Sequence, residues 1–119
     1  MQYFIQVSKR ANRDGRKLLE KNQRSAVIRK LKKLVDWPDI QKEFEIEKVW
    51  GEEFHEVKIS DPLLKDIWLR VHIYVDDDNG VIHILNGYKK KSNVIQDIDK
   101  LPARREVRRI KLSQNIQLE

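Results

Sequence analysis

WLRVHIYVDDDNGVIHILNGYKK, residues 68–90, reads as two strands around a tight turn. Val71, Ile73 and Val75 alternate with Trp68, Arg70, His72 and Tyr74 over 68–75. A second run, 81–88, does the same after Asn79-Gly80, a dipeptide that tolerates the positive φ of a hairpin turn. With the turn at Asp77–Gly80, Val75 falls opposite Ile82 and Ile73 opposite Ile84, which builds an apolar face. On the other face Tyr74 meets His83, His72 meets Leu85 and Arg70 meets Gly87. The acidic DDDNG run is a turn and not a calcium loop, because a loop opening at Asp76 puts Gly87 where the bidentate glutamate must stand.

Working outward, FHEVKIS (54–60) alternates too, with Val57 and Ile59 on the core side and Phe54, Glu56 and Lys58 opposite. One sheet face thus collects Lys58, Arg70, His72, Tyr74 and His83 beside exposed aromatics, with few acids near. Residues 3–8 (YFIQVS) form a short strand. Two helices follow: a weakly amphipathic one over 9–22, and a clearer one over 25–35 with Val27, Ile28, Leu31, Leu34 and Val35 on one stripe. Ser25 offers a cap to the second helix and Trp37-Pro38-Asp39 ends it. Residues 40–52 are acidic and ambiguous, extended around Phe44 and Ile46. PARREVRRIKL (102–112) reads as a short basic helix with proline in its first turn. The fold class is α+β: an antiparallel sheet in the order β-α-α-β-β-β, two N-terminal helices on one face and a short C-terminal helix, all in one domain, 1–119.

The formal charge of +6 is unevenly spread. Residues 1–33 carry eleven Lys/Arg against two acids, a local +9, and residues 36–68 carry four against ten, a local −6. A basic lobe of this kind suits a polyanion, nucleic acid by default, although solubility alone also accounts for it. The absence of cysteine excludes disulfides, thiolate nucleophiles and Cys-based metal sites. No apolar run approaches ~20 residues and the N-terminus has no signal-peptide core, which predicts a cytoplasmic protein without membrane contact.

The polar sheet face has histidines that titrate near neutral pH and an arginine suited to gripping phosphate. That set fits a phosphodiester, and an ordinary solvent face remains the competing reading. These residues also carry a family resemblance. Glu56-Val57-Lys58, the Arg70-led strand, the turn, and Ile84-Leu85-Asn86-Gly87-Tyr88-Lys89-Lys90 resemble the core of RelE/HigB-type toxins of bacterial toxin–antitoxin pairs, the phage-derived HigB-like branch above all. The likeness covers roughly residues 48–92. It departs at Lys58, where the family carries arginine, at Tyr88, where it carries phenylalanine, and after the lysines, where SNVIQDIDKLP replaces a Thr-x-Lys-Thr-Pro segment.

The resemblance implies a RelE-like fold and a metal-independent endoribonuclease that cuts ribosome-bound mRNA and needs no cofactor. Its chemistry is 2′-OH attack on the adjacent phosphate. Arg70 then stabilises the phosphorane, while Lys58, Lys89 and Lys90 ground the backbone, one of them serving as the base, and Lys91 contacts the RNA. His72 or His83 serves as acid or base, and Tyr88 orients the 2′-OH or stacks on a base. Tyr74 and His83 line the RNA, and Arg29 and Lys33 on the basic helices contact ribosomal RNA. Strict alternation puts Tyr88 and Lys90 on the core side, away from Arg70, unless a bulge at Gly87 re-aims them. The implied partner is a cognate antitoxin, commonly of helix-turn-helix type. Two alternatives stay open: a ParE-like toxin that poisons gyrase, and a non-catalytic RNA-binding module.

Overall fold

The computed structural model describes residues 2–42, 44–90 and 96–117. Its elements run β1 (Phe4–Val7), α1 (Lys9–Leu18), α2 (Lys21–Leu31), β2 (Glu45–Lys48), β3 (His55–Ile59), β4 (Leu69–Asp76), β5 (Val81–Lys89) and α3 (Asp97–Gln117). The α+β class stands. The sheet has five strands in the order β1-β5-β4-β3-β2 and is mixed: β1 runs parallel to β5, and every other pairing is antiparallel.

The extra strand is the ambiguous acidic segment. Ile46 lies opposite Val57 and turns toward the core, while Glu45 faces Lys58 across the strands. The charged side chains of this edge strand discourage pairing with another chain. Helix α2 starts at Lys21, four residues earlier than expected. Its cap is a box between Glu20 and Gln23, and Ser25 instead donates back to the Lys21 carbonyl.

On one face of the sheet, Val57, Ile59, Leu69, Val71, Ile73, Ile82 and Ile84 pack against Leu19, Val27 and Leu34 from the helical layer. The opposite face is not open, as the alternation implied. It is covered by α3, which is 21 residues long instead of a short helix from Pro102. Asp97 and Asp99 stabilise its first turn through the helix dipole, so five residues precede the proline, whose missing N–H removes a single intrahelical bond. Ala103, Val107 and Ile110 recur at helical spacing and bury themselves on Val49, Phe54 and Leu85. Polar clamps flank this stripe: Arg104 grips Glu52 with Nε 2.8 and 2.9 Å from the two carboxylate oxygens, Lys111 meets Glu53, and the Gln114 amide donates to Asp76. No described helix is long and apolar enough to cross a membrane.

Candidate functional site

The hairpin register agrees with the expected one from the turn as far as Ile73, which lies opposite Ile84, with Tyr74 opposite His83. Beyond that point β5 gains one residue. His72 faces Asn86 and Arg70 faces Tyr88, so the bulge is at Leu85 and not at Gly87. The two bulged residues, Leu85 and Asn86, both serve the α3 face: Leu85 packs in its core and Asn86 hydrogen-bonds its residue Asp99. The groups that the bulge displaces are taken up by the start of the chain. The Ser8 hydroxyl, which also caps α1, donates to the Leu85 carbonyl at 2.8 Å. The Gly87 N–H donates to Asp14 Oδ2 at 3.1 Å, and Asp14, itself buried, is paired with Arg10. Helix α1 thereby holds the frame shift that turns Tyr88 onto the Arg70 face.

The centre of that face is an acid, Glu56, that alternation placed there but the candidate set did not include. Glu56 Oε1 lies 3.2 Å from Arg70 Nε, and Glu56 Oε2 accepts from the Tyr88 hydroxyl at 2.7 Å. The His72 ring stands between Phe54 and Tyr88, with centroids 4.7 and 5.1 Å away. Its Nδ1 is 3.0 Å from Asn86 Oδ1. That oxygen accepts, so Nδ1–H donates to it, and the other ring nitrogen, Nε2, lies 3.9 Å from the Glu56 carboxylate. The Asn86 amide donates onward to the Asp99 carbonyl in the first turn of α3. Burial opposes ionisation of Glu56, but the His72 ring and the Tyr88 hydroxyl outweigh it and hold the carboxyl below its ordinary value. Burial and the bond to Glu56 push the Tyr88 phenol well above its own, so Tyr88 is a proton-bearing donor at neutral pH.

This network is nearly dry. His72 is fully buried, and Arg70 and Tyr88 are 6 and 7% exposed. Where it reaches solvent, a cleft of about 520 Å³ opens, lined by Lys58, Lys65, Trp68, Arg70 and Lys90 among others. Four cations and one indole therefore share the mouth from which Arg70 is reached.

The structure divides the expected set. Arg70, Lys58, Lys90, His72 and Tyr88 come together, with His72 as a buried neighbour instead of an exposed group. Tyr74 and His83 stack on each other (centroids 5.9 Å apart) on the same face, at Tyr74 four residues along β4 from Arg70, roughly 13 Å. Burial lowers the His83 pKa, so that ring is neutral. Lys89 lies opposite Leu69, which packs in the core on the other face, so Lys89 turns away from Arg70. Arg29 and Lys33 are exposed on the helical layer across the sheet. Lys91 lies outside the described residues. Alternation had already set Glu56 on this face and Trp68 on the same face as Arg70, although neither was counted among the candidate site residues; the participation of Lys65 had no sequence signal. Among the described residues no three His, Asp or Glu side chains gather as a metal site.

No protein-family model and no curated protein sequence matches the chain. Solved structures do. The E. coli toxin RelE, as a free mutant with two arginines changed to alanine, superposes with a TM-score of 0.57 at 22% identity over 78% of this chain and 88% of that one. A chain of the intact E. coli RelBE toxin–antitoxin complex gives 0.56 at 21% identity, over 76% of this chain and 99% of that one. The archaeal RelE–RelB complex from Pyrococcus horikoshii gives 0.59 at 20% identity, over 79% and 100%. What these likenesses establish for the chain is its fold, that of the RelE toxins.

Proposed function

We propose that the chain is the toxin of a type II toxin–antitoxin pair, a cytoplasmic endoribonuclease that cuts mRNA on the ribosome without a metal or cofactor. The observation that carries this reading is the convergence of Arg70, Lys58, Lys65 and Lys90 on one cleft, with Tyr88 brought beside Arg70 by the Leu85 bulge. In the reaction, the 2′-hydroxyl of one nucleotide attacks the adjacent phosphorus. The P–O5′ bond breaks, leaving a 2′,3′-cyclic phosphate and a 5′-hydroxyl. Arg70 meets the charge that builds on the phosphorane, because its guanidinium is oriented beforehand by Glu56. Glu56 has both oxygens engaged, so one amine of the cleft, Lys58 or Lys90 in its neutral form, takes the proton of the 2′-hydroxyl, while a second lysine of the cleft, as the ammonium, gives a proton to the departing 5′-oxygen. Tyr88 supplies a hydrogen bond and not a base, and buried His72 acts by positioning Glu56. The HigB-like branch remains our assignment on the motif. Fold likeness to toxins seen with RelB supports a cognate antitoxin of its own, of helix-turn-helix type if that branch is right. The cations of α1, among them Lys9, Arg13 and Arg16, give ribosomal RNA a second surface of one sign.

The test is induced expression in a bacterium, with primer extension on an abundant translated mRNA, for wild type, Arg70→Ala and Arg70→Lys. Because Arg70 is buried against Glu56, circular dichroism of each purified variant checks that the fold persists. Growth arrest with new cuts inside reading frames, lost in both folded variants, is the expected result. Arrest without cuts moves the reading to a gyrase poison. RNA binding that Arg70→Ala removes, in a protein that never cuts, moves it to a binding module.

A further inference from the structure

The connection between β3 and β4 carries two features to which the proposed chemistry assigns no step, one of them a lysine of the same cleft. The first is Trp68. Trp37, by contrast, is 7% exposed, whereas the Trp68 indole is 61% exposed although it immediately precedes a buried strand and borders the cationic cleft. Its backbone is fixed, since the Trp68 carbonyl accepts from the Lys90 N–H at 2.8 Å, which ties the ring to the end of β5. The second is Lys65, which has φ +51° and ψ −113°, a conformation that costs a non-glycine residue about 1–3 kcal/mol. It follows a short 3₁₀ turn, Pro62–Leu64, capped by Asp61 and anchored by buried Leu64. The strained turn sets Lys65 on the wall of the cleft. Asp61, the acid among the lining residues, is already engaged by the Leu63 N–H at 2.9 Å and by Lys30 at 3.9 Å.

We infer that Trp68 and Lys65 form a nucleotide subsite beside Arg70, in which the indole stacks on a base of single-stranded RNA and the Lys65 amine holds that nucleotide's phosphate. The inference rests on the nuclease reading for its substrate class and extends it to the residues that choose and hold the strand. An exposed indole beside lysines and an arginine is the combination by which proteins grip single strands, since every base offers a π-face and every linkage a charge. A cleft of about 520 Å³ is also within the ~300–1,000 Å³ range of small-ligand sites. An acidic protein segment would satisfy the lysines but gives the exposed indole no comparable partner.

The experiment measures binding of a short, fully 2′-O-methylated single-stranded RNA, which cannot be cleaved. Wild type is compared with Trp68→Ala, Trp68→Phe and Lys65→Gln, and urea midpoints confirm that the exposed sites leave the fold intact. Trp68→Ala should weaken binding about tenfold, or ~1.4 kcal/mol, while Trp68→Phe stays within about threefold. Lys65→Gln should weaken binding and reduce the salt slope by about 0.7. Equal affinity of Trp68→Ala and wild type overturns the subsite. So does a wild type that ignores this RNA but binds polyglutamate. Trp68-dependent binding by a protein that cuts no mRNA upholds the subsite and removes the nuclease reading instead.

Discussion

Replacing Glu56 with glutamine tests whether the buried network has the energetics its geometry demands. The change keeps the shape and removes the charge. Arg70 is 6% exposed and Glu56 is its ion-pair partner at 3.2 Å, so glutamine leaves an uncompensated cation in a dry setting. Breaking a buried pair costs ~3–5 kcal/mol, and the open cleft on one side argues for the lower end, about 3. The Tyr88 hydroxyl keeps an acceptor but loses an ionised one, which adds ~0.5–1 kcal/mol. The total, ~3.5–4 kcal/mol, is a large part of the ~5–15 kcal/mol that holds a domain together. With an m-value of ~1.5 kcal/mol per molar in urea, the unfolding midpoint should fall by about 2.5 M. Lys58→Gln is the internal control. Its pair with Glu45 is 45 and 74% exposed, and its loss should cost less than ~1 kcal/mol. A Glu56→Gln midpoint within ~0.3 M of wild type, at an unchanged m-value, would refute the claim that Glu56 holds Arg70 in place.

Two further outcomes follow from the bulge and from burial. Asp14→Ala takes the acceptor from the Gly87 N–H and should cost ~1–3 kcal/mol, with faster hydrogen exchange at that amide and weaker mRNA cutting as Tyr88 loses its register. Gly87→Ala should instead stay within about 1 kcal/mol of wild type, because a Cβ there meets the Arg70 carbonyl at an ordinary 3.7 Å; a collapse on that substitution would return the bulge to Gly87. Acid titration reads the histidines: burial lowers the pKa of both His55 and His83, with Lys48 adding to it for the first and Arg109 for the second. Between those lowered values and the unfolded value of ~6.5 the unfolded chain binds more protons, so stability is complete above ~6.5 and falls as pH drops below it, by up to ~1.4 kcal/mol per unit for each ring. His83→Gln should reduce that slope in urea midpoints taken from pH 7.5 down to 5, and an unchanged slope would show that His83 titrates in the native state as it does in the unfolded chain.

Most of the frame was legible because period-two alternation and the Asn79-Gly80 turn are local signals, and they hold from the turn to Ile73 and Ile84. Legibility ends at Leu85. A bulge is decided by what satisfies the displaced backbone groups, and here those partners are Ser8 and Asp14, more than seventy residues away in sequence. Nothing in LNGY announces them, and the visible glycine draws attention to the wrong position. The acidic edge strand was read only as an ambiguous extended segment, because its inward residue, Ile46, makes no pattern until Val57 is set opposite it. The C-terminal helix was recognised only in part, since Pro102 mimics a start and the Ala103, Val107 and Ile110 stripe is diluted by arginines.

The covering helix changes what the hairpin cations are able to do. On an open sheet, Lys58, Arg70, His72, Tyr74 and His83 would form one continuous reactive surface. Under α3 the face is graded. Tyr74 and His83 stack with each other toward the turn, His72 is sealed and linked through Asn86 to Asp99, and Arg70 borders the cleft at the β3–β4 end. On the proposed reading, a phosphate therefore reaches Arg70 from the β3–β4 end, past Lys65, Trp68 and Lys90. The route of approach, and not the alternation of the strand, determines which of these side chains is available to chemistry. By the same argument, variants at Trp68 and Lys65 should alter the choice of RNA, whereas variants at His72 and Asn86 should act through the shape and stability of the face that supports Arg70.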